Sequence, residues 1–319
     1  MEKIYISYIR KLWTISLLYI FIIFFNPLMN EISFIFIVEL IGLIVLNVFF
    51  YLNARKEVRN IKKEENWGSE KSEVLYVTNE DINCEVISYK WYFLTLIIIF
   101  ATGYFIIINY ENLSKRLPIH FNSKGIGDQF IDKSCPSSLF LPGIEMFILA
   151  VFIFVNYSIK KTKKQIDIED PKESIIRNIK FRGIWSKVLY IVYLIILATL
   201  TLNAFKMINL LNINPKLFQL ITYISIGTIL LLILGTAIKT GQGGSKLSKH
   251  KNTKDEINIE DDKYWKLGLF YFNKEDPSIF IEKRFGIGFT VNFANPISIL
   301  IIVVFLLIIF GISLLPKIL

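Results

Sequence analysis

The sequence predicts an all-α polytopic membrane protein of about seven transmembrane helices, N-terminus inside and C-terminus outside, with a small β-rich cytoplasmic module before the last helix. Three observations carry this reading. Hydrophobic residues make up 53% of the chain and gather into near-continuous runs of spanning length; a hydrocarbon core about 30 Å thick needs roughly 20 apolar residues in a helix. The runs do not alternate, and lipid admits only backbones that satisfy their own hydrogen bonds, so helices are selected over a barrel. Of the 36 lysines and arginines, 28 fall in the N-terminus and in alternate connectors, against 7 on the other side. That bias assigns the basic segments to the cytoplasm.

The runs are 12–29, 32–52, 91–109, 138–158, 186–206, 217–238 and 297–315. Trp13, Tyr51, Trp91, Tyr92, Tyr110 and Trp185 stand at their ends as interface anchors. The first run follows Lys3, Arg10 and Lys11 as a secretory signal would. No small-residue cleavage site follows Phe24-Phe25-Asn26-Pro27, so the expectation is an uncleaved first helix. Residues 1–52 then form a transmembrane hairpin turning near Asn26, Pro27 and Asn30. The cytoplasmic connector 53–90 opens as a charged helix from Arg55 to Glu65. Residues 91–158 are two spans joined by the outer loop 110–137.

The basic cytoplasmic segment 159–185 holds Asp170-Pro171, a helix-start signal. Ile175, Ile176 and Ile179 share one face beside Lys172, Arg177, Lys180 and Arg182. Two readings stay open: a basic amphipathic helix on the inner leaflet, or a solvated connector. A second transmembrane hairpin, 186–238, leads through a flexible linker, 239–260, to the module at 261–296 and the last helix at 297–319. In the module, Leu267 to Phe272 and Ser278 to Glu282 are β-prone runs around the turn-rich Asn273 to Pro277, and Phe289 to Phe293 is a third. No internal repeat is visible.

The net charge of +9 is a topology signal and an attraction to anionic lipid, with no nucleic acid implied. Gly241 to Lys246 lacks the Gly-Lys-Ser/Thr ending of a phosphate loop, and Gly286-Ile-Gly288 lacks the third glycine of a dinucleotide site. No protease or hydrolase motif occurs, so neither an enzyme nor a cofactor is expected. Cys84 and Cys135 fall on opposite sides of the membrane and cannot pair within one molecule. His120 and His250 have no ligand-spaced companion, and no metal site is expected. Glu39 and Glu145 are the intramembrane acids, each seven residues in from an outer helix end, about 10 Å at 1.5 Å per residue. Such groups usually face the bundle interior. They suggest an outward-facing polar pocket with Lys206 as partner and His120 at its mouth; the alternative is two separate interhelical hydrogen bonds.

The outer stretch Leu117-Pro118-Ile119-His120-Phe121-Asn122, with Gly125, Asp128 and Lys133, resembles the signature loop of the SdpI-type family of bacterial toxin-immunity membrane proteins. The shared module is two spans joined by Pro-x-His-Phe-Asn-x-x-Gly-x-x-Asp, here 91–158. Ser114 stands where an earlier proline is usual. The segment Trp265, Gly268, Tyr271, Asn273, Asp276, Pro277, Lys283, Arg284, Gly286, Gly288, Asn292 and Phe293 resembles a second small bacterial module of unknown function that accompanies the first, with Phe289 in place of a tryptophan. The resemblance implies a multi-pass protein of the bacterial plasma membrane that senses or neutralises an extracellular peptide toxin or envelope ligand. A cytoplasmic regulator would be held by Lys283, Arg284 and exposed aromatics around Trp265. A small-solute transporter or transport accessory is the alternative.

Overall fold

A computed structural model describes residues 14, 33–64, 86–122, 125–162, 171–208, 210–211, 213–247, 263–283 and 288–318. The chain divides into two units, 1–72 and 73–319. In the first unit, helix α1 (Ser33–Glu64) runs without interruption from the second apolar run into the charged segment. The expected charged opening of the connector is therefore a continuation of the helix that begins in the second apolar run. Run 12–29 apart from residue 14, the end of that connector and linker residues 248–260 lie outside the described residues.

Among the described residues of the second unit, four helices are long and apolar enough to cross a membrane: Tyr89–Ile108, Phe140–Lys161, Glu173–Met207 and Pro215–Thr240, with a shorter apolar stretch at Pro296–Gly311. The first is formed by α2 (Tyr89–Leu94) and α3 (Leu96–Ile108), interrupted at Thr95. The Thr95 hydroxyl donates to the Tyr92 carbonyl at 2.6 Å and pairs with the Tyr193 hydroxyl at 2.6 Å. Next come the short α4 (Cys135–Ser138), α5 (Phe140–Lys161), α6 (Pro171–Met207), α7 (Pro215–Thr240) and α8 (Pro296–Ile318). Prolines open α6, α7 and α8, where the missing N–H would have no intrahelical partner. Asn214 caps α7 by accepting from the Lys216 amide.

Helix α6 departs from both readings of the basic segment. Its 37 residues make one continuous rod, about 55 Å long at 1.5 Å per residue and well beyond a hydrocarbon core of about 30 Å. The basic residues are the first turns of the span itself. The buried face is also different from the expected isoleucine face: Ile176 is exposed, whereas Ser174, Asn178, Arg182 and Ser186, four residues apart, are buried. Four-residue spacing keeps side chains on one face, and this polar column meets polar partners. Ser186 Oγ donates to Asn156 Oδ1 at 2.6 Å and accepts from the Ile87 amide at 2.8 Å, while Asn156 Nδ2 donates to the Ile87 carbonyl at 2.9 Å. Arg182 donates to the carbonyls of Ile159 and Thr162 at 3.2 and 2.8 Å, capping the C-terminus of α5.

Among the described residues of the unit there are also three antiparallel strand pairs. Strands β1 (Arg116–Phe121) and β2 (Gly127–Asp132) form a hairpin in the expected outer loop. Its Leu117 and Ile131 are buried against Ile106, Leu141, Ala204 and Met207. Strands β3 (Trp265–Lys266) and β4 (Phe270–Tyr271) pair, as do β5 (Phe280–Glu282) and β6 (Phe289–Val291). The run Leu267 to Phe272 is thus not one strand. Leu267 (φ 55°) and Gly268 (φ 74°) turn the chain between β3 and β4. The two pairs join through a Tyr271–Asn292 bridge, with the Phe293 amide donating to the Tyr271 carbonyl at 2.9 Å. Phe280 packs edge-on against Phe154 of α5, and Phe305 of α8 stacks with Phe147 of α5. The β1–β2 hairpin and the β3–β6 module therefore occupy opposite ends of the α5–α6 pair.

Candidate functional site

The hairpin is built by its own signature residues. Pro118 has no amide to give the ladder, and the pairing slips between Pro118 and His120, which displaces Ile119 from the register. His120 Nδ1 meets Asp128 Oδ1 across the two strands at 2.6 Å. Asn122 closes the turn: its amide donates to the Ile126 carbonyl at 2.8 Å, its carbonyl accepts from the Gly125 amide at 2.8 Å, and its Oδ1 accepts from the Ile126 amide at 3.1 Å. Gly125 has φ +71°, and a Cβ there would lie 2.4 Å from the Pro215 carbonyl oxygen. Left-handed backbone and close approach both require glycine.

Lys206 fastens this turn to the helix ends. Its ammonium donates to the Gly125 carbonyl at 2.7 Å and lies 4.4 Å from the Phe121 ring centroid and 3.7 Å from that of Phe218. Those distances are within cation–π range. Lys133 makes a second tie, donating to the carbonyls of Glu111 and Leu113 at 3.3 and 3.4 Å above the Tyr110 ring. Ser134 and Ser137 form a reciprocal capping box into α4. On the opposite face Ile126 is 54% and Phe130 43% exposed, with Arg116 over the Phe130 ring.

Glu145 is 0% exposed in α5. Thr201 Oγ1 donates to its Oε1 at 2.9 Å, and its Oε2 has no hydrogen-bond partner. Lys206, expected as the partner, is committed to Gly125, and His120 to Asp128. Glu39 lies on α1, and its side chain is outside the described residues. Among the described residues no cluster of His, Cys, Asp and Glu is arranged for a metal ion.

At the other end, the module's signature residues bond chiefly to one another. Asn292, fully buried, donates to the carbonyls of Asn273 and Asp276 at 2.7 and 2.8 Å and accepts from the amides of Asn273 and Ala294, both at 3.1 Å. Tyr271 donates to Asp276 Oδ2 at 2.9 Å, and Asn273 Nδ2 donates to the Tyr271 hydroxyl at 3.3 Å. Asp276 Oδ1 accepts from the Ser278 amide, and the Pro277 carbonyl accepts from Asn295 Nδ2. Trp265 packs on Tyr271 and is buried, so it is not an exposed aromatic; Phe270 and Phe272 are the exposed ones. The Lys283 amide donates to the Gly288 carbonyl, and Gly288 has φ +110°. Arg284 and Gly286 lie outside the described residues.

Sequence reasoning passed over one residue here, Glu282. A Cβ on Gly243 would stand 2.7 Å from its Oε1, and Gly244 packs on Arg177 and Phe181 of α6. Burial pushes the Glu282 carboxyl up, against the opposing pull of Arg182 and Arg177 and a hydrogen bond with Asn178. The glycine turn after α7 is therefore a close-packed joint between α6 and β5. A lone acid near a basic segment carries no motif, which is why only the folded chain reveals it.

Two family models match parts of the chain. A domain of unknown function (DUF1648) covers residues 96–146, which include the β1–β2 hairpin and Glu145, and a family of unknown function (DUF5808) covers 274–299, most of the β4–α8 connection. No curated protein matches the chain, and no solved structure does. Both matched stretches fall on the segments whose signature residues build the two ends of the α5–α6 pair.

Proposed function

We propose that the chain is a seven-span protein of the bacterial plasma membrane, N-terminus inside, whose β1–β2 hairpin engages an extracellular peptide toxin or envelope ligand. One observation carries this reading. The hairpin is held rigidly by Lys206, Asn122 and Gly125, while Ile126 and Phe130 stay exposed on its far face. A two-strand sheet also leaves one edge of each strand outside the ladder, suited to an extended peptide adding as a third strand. Rigid presentation of apolar side chains lowers the ordering cost of binding.

The test is survival of a toxin-sensitive Gram-positive strain challenged with peptide-containing culture supernatants. Wild type is compared with an Ile126→Ser, Phe130→Ser double variant at matched membrane levels. Both side chains are exposed, so the variant should fold. Protection by wild type that the variant loses supports the reading; equal survival with and without wild type across the panel refutes it. The transport reading is favoured by a separate observation, the unpartnered Glu145 Oε2 inside a candidate span. Solute uptake that depends on Glu145, with no protection in the challenge, would select it.

A further inference from the structure

We propose that Glu145 is a proton-binding site: Oε2 carries a proton in the closed packing of α5 against α6, and gives it up to water only when the two helices part. This inference is independent of what the hairpin binds. The carboxyl is fully buried by protein, on a helix apolar and long enough to span. Thr201 supplies its one hydrogen bond, to Oε1, and leaves Oε2 unpartnered. Among the described residues it makes no ion pair, and the hydroxyl of its neighbour Tyr193 is paired with Thr95.

An ionised carboxylate in this setting would be an uncompensated buried charge, which proteins avoid by pairing or by neutralisation. Intramembrane carboxyls of this kind mark ion or proton pathways. Neutralisation by a proton uses what is present: Oε1 is the carbonyl oxygen accepting from Thr201, and Oε2 is the hydroxyl oxygen. Binding forms one O–H bond with a proton taken from water, release returns it, and no other bond changes.

The experiment is difference infrared spectroscopy of the full chain reconstituted in lipid at neutral pH, comparing wild type with Glu145→Gln. Glutamine is neutral and nearly isosteric, so helix content read from the amide band should be retained. The expected result is a protonated-acid C=O band present in wild type and lost in the variant. It should move to higher frequency in Thr201→Val, which deletes the hydrogen bond to the carbonyl oxygen, and its shift in heavy water should lag behind exchange of the exposed hairpin. Loss of a carboxylate band instead of an acid band would overturn the proposal. So would an acid band indifferent to Thr201→Val, or a carboxylate band sensitive to sodium, which would make the site one for a metal cation.

Discussion

At the residue scale, the two signature segments are dominated by side chains whose partners lie within their own segment. Gly125→Ala combines a left-handed backbone, costing about 1–2 kcal/mol for a residue with a Cβ, with a contact 2.4 Å from the Pro215 oxygen. The expected outcome is release of the turn from Lys206, read as faster proteolysis between residues 115 and 133. Asn292→Ala removes the two hydrogen bonds donated by Nδ2 and the two accepted by Oδ1 of a side chain that is fully buried. Each group left without a partner costs roughly 1–3 kcal/mol, so residues 263–283 should lose protease protection while total helicity by circular dichroism is nearly unchanged. Glu282 should make the inner joint sensitive to pH. Its carboxyl is raised by burial, so its contribution is fully present below the ordinary carboxylate range and is lost as pH climbs through the raised value. Protection of the β5 segment should accordingly be greatest in mild acid and decline toward alkaline pH, and Glu282→Gln should flatten that profile.

At the element scale, α6 shows what a sequence reveals and what it withholds. Its start at Pro171 and its apolar body were legible, because a proline after an acid and a run of Leu, Ile and Val are local signals. Its buried face was not. Ser174, Asn178, Arg182 and Ser186 look like a solvated stripe among lysines until α5 and residue Ile87 arrive to satisfy Arg182 and Ser186, and Glu282 to meet Asn178. The same holds for the hairpin. Leu117 to Asn122 was recognisable as specified chain, but Pro118 and the displaced Ile119 blur the alternation that announces a strand. Glu145 was legible as an intramembrane acid; Thr201 was not legible as its donor, since threonine is unremarkable in an apolar helix. Because Ser186 and Asn156 satisfy each other and Ile87, Asn156→Leu should leave the Ser186 hydroxyl and the Ile87 carbonyl without their partner. A loss of roughly 1–3 kcal/mol is expected, visible as a lower detergent-unfolding midpoint, larger than that of Ser186→Ala.

At the scale of the second unit, the arrangement is polar at two ends, and the Tyr92, Tyr190 and Tyr193 rings pack where the first turns of the Tyr89–Ile108 helix meet α6. If the β1–β2 end faces outward, Cys135, which is exposed, should react with a membrane-impermeant maleimide in intact cells carrying Cys84→Ser. Labelling only after permeabilisation would invert the assignment. Helix α6, like α5 and α7, reaches both specified ends: Lys206 holds the hairpin turn, and Arg182 sits at the joint with α5 and Glu282. The consequence is mechanical. A single unbroken helix transmits displacement along its axis almost without loss, because every backbone hydrogen bond resists stretching. The Gly125 carbonyl and the last carbonyls of α5 are thus both tied to one stiff rod, so neither contact can shift along the α6 axis without carrying the other.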